Sequence, residues 1–289
     1  MSGGADSLAL LVLAVAAGCR VTAVHVDHGL RDGAEREGEL VADVARRVGA
    51  AFRAERAPVA PGPNLEERAR DARYAVLPPD VLTGHTADDQ AETILLNLLR
   101  GAGVNGLAGM GPRRHPIIAL RRHETRSLCA AEGIEPFEDP SNADRSFRRN
   151  RVRHELLPLL DQLAQRDVAA VLARQADLLR DDAALLDGLA GALDPTDARS
   201  LAAAPAALAR RAVRRWLSEG KPPPAAAVER VLEVARGAAR ATDVGGGRRV
   251  TRSHGRLLLS TSAERSEVRP SKRRAAGGGS TAGQPAAGQ

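Results

Sequence analysis

Residues 2–26 read SGGADSLALLVLAVAAGCRVTAVHV, and this stretch decides the fold. Ser2, Gly3, Gly4, Ala5, Asp6 and Ser7 form a glycine-rich turn, followed by an apolar run from Ser7 to Ala17 that Gly18 ends. The run reads as a buried helix, and Val21 to Val26 as a strand behind it. Glycines let a backbone approach an anion closely, and the N–H groups of the helix's first turn point at it. The pattern lacks the Gly-x-x-x-x-Gly-Lys-Ser/Thr of a Walker loop. A loop without Lys suits a site that grips pyrophosphate rather than one that transfers a γ-phosphate. The competing reading is an ordinary turn in which Asp6 or Ser7 caps the helix.

The same alternation continues outward. Asp27 to Gly33 is a polar loop, Ala34 to Val48 an amphipathic helix, and Ala51 to Arg56 a weak strand. Asn64 to Leu77 is a second amphipathic helix stopped by Pro78-Pro79, Val81 to Thr83 a short strand, and Thr86 to Arg100 a helix. This rhythm predicts an α/β fold, a doubly wound parallel sheet with helices on both faces, over residues 1–140. Such a sheet needs a buried strand before the first loop, and only Met1 precedes Ser2. A start assigned too late, with a GTG valine codon read as Met1, is the expected cause.

After 140 the pattern turns helical. Residues 147–190, Leu201 to Leu217 and Ala225 to Arg236 read as helices, Lys221 to Pro224 as a linker, and Arg248 to Ser260 as a hairpin turning at His254-Gly255. This predicts a mostly helical second domain over 141–262. Residues 263–289 are charged, then rich in Gly, Ala and Gln, and predict a disordered tail.

The chain has 289 residues, 43% of them hydrophobic, which allows about two domains. Its net charge of +6 favours a polyanionic partner such as nucleic acid, although an Arg-rich soluble surface has the same balance. Cys19 and Cys129 are far apart and neither lies in a Cys-x-x-Cys pair, which argues against a zinc or iron–sulfur site. Unpaired thiols suit a reducing compartment, so a cytoplasmic protein is expected. No apolar run is long enough to span a bilayer, so no membrane association is expected.

Two further segments carry chemistry. Gly84-His85-Thr86-Ala87-Asp88-Asp89-Gln90-Ala91-Glu92-Thr93 opens a helix directly after a strand. The spacing of His85, Asp88 or Asp89, and Glu92 puts them near one face of its first two turns. Strand-to-helix junctions of α/β sheets are where ligands bind. The carboxylates suit magnesium or an ammonium, and His85 suits a phosphate. Capping accounts for Asp88 and Asp89 but does not require His85 or Glu92. In the other segment, Asp139-Pro140-Ser141-Asn142 opens a turn, and Arg145, Arg148, Arg149, Arg151 and Arg153 follow within nine residues. Phosphate contacts and a solvated helix face both explain that run. His25 is expected at the end of the second strand, with Asp27, His28 and Arg31 in the following loop; their spacing matches no known metal-ligand pattern, and a strand-end loop lining a nucleotide pocket is the expected reading.

SGGADS, VHVDHGLR, NLEERARDARYAVL, GHTADDQAETILLNLLRGAGVNGLAGM and EDPSNADRSFRRNRVRHELLPLL occur in this order over residues 2–160. The set resembles the tRNA(Ile)-lysidine synthetases, of the N-type ATP pyrophosphatase (PP-loop) superfamily with its Rossmann-like fold. The first motif is common to the superfamily, and the last two are far more specific. The resemblance implies a ligase using ATP and Mg2+, with tRNA(Ile) bearing a CAU anticodon and free L-lysine as substrates. The wobble cytidine would be adenylated with loss of pyrophosphate, and lysine would then displace AMP to give lysidine. By the same resemblance Ser2, Gly3, Gly4, Ala5, Asp6 and Ser7 would hold ATP phosphates, with His25 and Gly84 also at the nucleotide. Asp6 would lie near the magnesium. His85 would sit beside the α-phosphate, and Asp89 and Glu92 would hold lysine ammonium groups. Arg151 and its neighbours would meet the lysine carboxylate or tRNA phosphate, with Arg145, Arg148, Arg149 and Arg153 on tRNA. One departure stands out: the family's Arg-Pro-Leu-Leu segment is here His115-Pro116-Ile117-Ile118, with Arg113 and Arg114 close by. The rival readings are a PP-loop tRNA thiolase, which generally uses paired cysteines or a cluster, and a degenerate, non-catalytic RNA-binding paralogue.

Overall fold

The computed structural model describes residues 1–29, 34–60, 62–63, 65–139, 142, 144–219 and 222–261. Arg31, Pro140, Ser141, Lys221 and the expected tail over 263–289 lie outside the described residues. The chain divides into two compact units, Met1–Ala184 and Leu185–Gln289. The boundary expected near 140 falls inside the first.

In the first unit, α1 (Ala5–Ala16) follows the glycine turn directly. Its Leu8, Ala9, Leu11 and Val12 are buried against Val41, Val44 and Ala45 of α2 (Ala34–Val48) and Cys129 of α6 (Arg122–Ala131). β1 (Thr22–Asp27) and β2 (Ala51–Arg56) run parallel, from Thr22 opposite Ala51 to Asp27 opposite Arg56, and α2 is their crossover. On the other edge of β1 the Met1 amino group donates to the Val24 carbonyl. α3 (Leu65–Val76) and α4 (Ala87–Leu99) follow, then a short α5 (Val104–Leu107).

The first unit is therefore mixed α/β with a parallel sheet, but among the described residues that sheet has two strands. The expected strand at Val81–Thr83 is irregular chain without a sheet partner, and the Val81 N–H closes a turn onto the Pro78 carbonyl. Its Thr83 N–H donates instead to the Arg114 carbonyl at 2.9 Å. A three-residue segment gains too few ladder bonds to pair without a neighbouring strand in register, and the loop at 114 takes its donor.

Helices follow: α7 (Arg148–Arg151), α8 (Leu157–Ala164) and α9 (Val168–Gly191), the last running into the second unit. Between α7 and α8, Val152–Leu156 makes a π turn in which the Leu157 N–H reaches back to the Val152 carbonyl. Pro158 explains it. Proline has no N–H for the carbonyl of His154 and its ring clashes there, so the ladder widens instead of continuing.

The second unit packs α10 (Ala198–Ala203), α11 (Ala206–Leu217) and α12 (Ala225–Arg236) against a three-stranded antiparallel sheet. That sheet comprises β3 (Ala241–Gly245), β4 (Arg248–Ser253) and β5 (Arg256–Ser260). Leu201, Val213, Leu217, Val231, Leu232, Val250 and Leu257 make its core. Two expectations change here. The single helix over Leu201–Leu217 is broken at Pro205, which starts α11 as its N-cap. The expected hairpin gains a third strand, because β3 pairs with β4 across a glycine turn at 245–247.

Candidate active site

Gly84 brings the α4 junction onto the first loop, and Gly3 ties that loop to Phe137. Gly3 has φ of 67°, a left-handed conformation that disfavours a side chain, and its carbonyl accepts the Phe137 N–H at 2.9 Å. A Cβ on Gly84 would lie 2.5 Å from the Asp6 carbonyl oxygen and 3.0 Å from Ser7 Cα. Only glycine lets the two backbones touch. The N-terminus of α1 has no side-chain cap at Gly4, while Ser7 Oγ is turned back onto the Gly4 carbonyl at 2.9 Å. The first N–H groups of α1 therefore keep their dipole for an anion.

α4 begins at Thr86, whose N–H donates to Asp89 Oδ2 at 3.0 Å. This cap turns Asp89 Oδ1 away from the helix and toward two guanidiniums, Arg122 Nη2 and Arg149 Nη2, each at 3.0 Å. One turn further on, Glu92 has no solvent exposure. Its Oε1 accepts from Arg153 Nε at 2.6 Å and Arg122 Nη2 at 3.3 Å, and its Oε2 from Arg149 Nε at 2.6 Å and Arg153 Nη2 at 3.2 Å. A buried carboxylate needs such partners, since desolvation otherwise drives it neutral. Burial pushes the pKa of Asp89 up, but Arg122, Arg149 and the Thr86 N–H outweigh it and hold the carboxyl below its usual value.

Arg122 ties this cluster to the glycine-rich loop, because its Nε lies 3.7 Å from Asp6 Oδ2. Asp6 also accepts from the Thr125 hydroxyl. Burial raises the Asp6 pKa, against the lowering effect of that hydroxyl. Beside them Asp88 is gripped by Arg121, at 2.9 and 3.1 Å, and by the Arg122 N–H at 2.7 Å. Among the described residues no group of three His, Cys, Asp or Glu is arranged to hold a metal ion by itself.

The structure thus brings Asp6, Gly84, Asp89 and Glu92 to one place. It divides the basic run. Arg149 and Arg153, four residues apart on one helical face, turn inward to Asp89 and Glu92. Arg148 is exposed, and Arg145 and Arg151 face Glu155 at 3.9 and 3.1 Å. Arg151 therefore lies off the cluster that its neighbours form. His25 is buried, with Nδ1 2.8 Å from the Met1 carbonyl oxygen and Nε2 without a partner among the described residues. It lies in β1 near the strand end, as expected, and its ring lies over Gly38, where a Cβ would be 3.4 Å from Cδ2. His85 joins Thr83 and His115. Sequence reasoning missed Arg122, Arg121 and Thr125. The one available signal was the Arg121-Arg122 pair opening an amphipathic helix right after the His115-Pro116-Ile117-Ile118 segment.

No helix among the described residues is long and apolar enough to cross a membrane. The PP-loop domain family matches residues 1–160, which hold every group just described, and the TilS substrate binding domain matches residues 197–258 in the second unit. A tRNA(Ile)-lysidine synthase of Nocardia farcinica is 47% identical over 75% of this chain and 74% of its own. Those of Thermobifida fusca and Salinispora tropica are 39% and 40% identical, over 90% and 89% of this chain and 90% and 88% of theirs. With the phosphate loop, the acid–guanidinium cluster and the substrate binding domain all falling inside these matches, the chain belongs to the tRNA(Ile)-lysidine synthase family of PP-loop ATP-binding ligases.

Proposed function

We propose that the protein converts the wobble cytidine of tRNA(Ile) with a CAU anticodon to lysidine, using ATP and free L-lysine. One observation carries this reading: Arg122 joins the phosphate-loop carboxylate Asp6 to the Asp89–Glu92 pair, so an amino-acid site adjoins a pyrophosphate site.

The loop Ser2–Ser7 and the start of α1 hold the ATP phosphates through backbone N–H groups. Asp6 suits a magnesium ion, which needs one or two carboxylates and takes its other oxygens from phosphate and water. When bound, that ion neutralises charge on the leaving pyrophosphate. The cytidine carbonyl oxygen attacks the α-phosphorus, the bond to the β-phosphate oxygen breaks, and pyrophosphate departs. His85 donates a hydrogen bond to the α-phosphate as its charge develops. The lysine ε-ammonium first gives up a proton to solvent; its nitrogen then bonds to the ring carbon, the carbon–oxygen bond breaks, and AMP leaves with the former carbonyl oxygen.

Lysine is a zwitterion with an additional amine, and the cluster holds both signs. Asp89 and Glu92 match its ammonium groups, and Arg122, Arg149 and Arg153 match its carboxylate once they exchange partners. The exposed Arg148, Arg151 and Arg145 are assigned to tRNA phosphates, together with the second unit. The cytoplasm, where tRNA is modified, is the assigned compartment.

The test uses ATP labelled at the α-phosphate. Labelled AMP should form only when both the tRNA and lysine are present, and omitting lysine should leave an adenylated tRNA. AMP release without tRNA would refute the assignment.

A further inference from the structure

Thr83, His85 and His115 form a closed polar triangle. Thr83 Oγ1 lies 2.7 Å from His85 Nδ1 and 2.6 Å from His115 Nδ1, and the two ring nitrogens are 3.1 Å apart. The rings meet edge to face, with centroids 4.7 Å apart and planes at 88°. The Thr83 N–H bond to the Arg114 carbonyl holds the two strands of chain in this register.

Proton accounting limits the triangle. A hydroxyl has one hydrogen, and a neutral imidazole carries one N–H on either nitrogen. Two bare Nδ1 atoms would compete for the single hydroxyl hydrogen. Two protonated ones would press their hydrogens together. The contacts are satisfied when one ring is protonated on Nδ1 and the other on Nε2. Burial keeps both rings neutral: the pKa of His85 falls to about 4, and that of His115 is lowered as well, with Arg114 adding to the effect.

The ligand selects the direction. On the reading that His85 faces the α-phosphate, on which this inference rests, its outer nitrogen must offer a hydrogen to an anion. His85 Nδ1 is then bare, and it takes the hydroxyl hydrogen of Thr83. The remaining donor must come from His115. We propose that His115 is a positioning residue that acts through Thr83: its Nδ1–H donates to Thr83 Oγ1, Thr83 Oγ1–H donates to His85 Nδ1, and His85 is thereby fixed as the Nε2–H tautomer.

Nitrogen-15 NMR of the full chain with labelled histidine reads the tautomers directly. The expected spectrum has His85 protonated at Nε2 and His115 at Nδ1, and the reverse assignment overturns the proposal. Thr83→Val and His115→Phe should each leave His85 a tautomer mixture. Each should lower kcat for lysidine formation about tenfold, as expected for a lost orienting hydrogen bond, with ATP KM and tRNA affinity within about twofold of the parent. Thr83→Ser and His115→Asn keep the hydroxyl and the donor and should restore the tautomer and the rate. Unchanged kcat and tautomer in His115→Phe would overturn the role of His115. His85→Ala separates the two claims: if it abolishes turnover while His115→Phe keeps the parent kcat and tautomer, the phosphate role of His85 stands and only the relay fails. If His85→Ala turns over normally, both fail.

Discussion

The Arg149 guanidinium bridges the acidic pair, donating from Nε to Glu92 Oε2 at 2.6 Å and from Nη2 to Asp89 Oδ1 at 3.0 Å. A side chain from the basic run thus occupies the carboxylates proposed to receive lysine. Lysine binding is then an exchange of cations rather than the filling of a bare pocket.

Glu92→Gln tests the pair. The carboxylate is fully buried among three guanidiniums, and a neutral amide leaves them without their counter-charge. Breaking a buried ion pair costs about 3–5 kcal/mol. Thermal melting should show a clear drop in stability. In protein that remains folded, lysine KM should rise while ATP KM stays near the parent value. A rise in ATP KM with lysine KM unchanged would move Glu92 to the phosphate site.

Arg148 and Arg149 are neighbours in sequence and should behave oppositely. Arg148 is exposed, so Arg148→Gln should flatten the log–log dependence of tRNA affinity on salt by about one unit and leave lysine KM alone. Arg149→Gln should raise lysine KM and lower the melting temperature with the salt slope unchanged. Filter binding across a salt series decides it, and equal slopes in the two variants would count against the division of the basic run.

How much of this could be read beforehand depends on distance along the chain. α2, β2 and α12 fall on their expected bounds, because amphipathic spacing and flanking Gly or Pro are local signals. The turn at His254-Gly255 is also local, both residues having positive φ. The five-Arg run reads as one patch only while its helix is ignored, and a single turn of helix separates Arg149 and Arg153 from Arg148 and Arg151. Arg122 was not legible, because its partners Asp89 and Glu92 lie thirty or more residues away and no periodicity reports that contact. Val81–Thr83 failed for the opposite reason, since three β-prone residues carry no information about whether a neighbouring strand will accept them.

Gly84→Ala should uncouple the loop from the junction. The added Cβ would meet backbone atoms at 2.5 to 3.0 Å, and backbone cannot rotate aside as a side chain can. Overpacking of this kind costs roughly 1–3 kcal/mol. ATP affinity, followed by thermal shift on nucleotide addition, should fall more than tRNA affinity. Unchanged ATP protection would mean that the two backbones need not touch for the site to form.

His85 makes stability depend on acidity. Its folded pKa of about 4 lies below the ordinary value of 6.5, mainly through burial, with Asp89 opposing and His115, Arg149 and Arg70 adding to the fall. Between those values the unfolded chain binds the proton and the folded one does not. The contribution is therefore complete above pH 6.5 and lost as the pH falls toward 4, on the order of 2–3 kcal/mol. Asp6, whose pKa is raised by burial, works in the opposite sense as it protonates. Denaturant melts of the parent and His85→Gln across this range isolate the histidine. The difference between them should shrink as the pH falls, and a constant difference would contradict the shift.

The most direct test of the account is mass spectrometry of the anticodon fragment after tRNA(Ile) with a CAU anticodon is incubated with the protein, ATP and isotope-labelled lysine. The account predicts that label appears on the wobble cytidine, with one AMP and one pyrophosphate released for each lysine attached. A fragment that stays unmodified while ATP and lysine are present, or one that gains a different group such as sulfur, would contradict it.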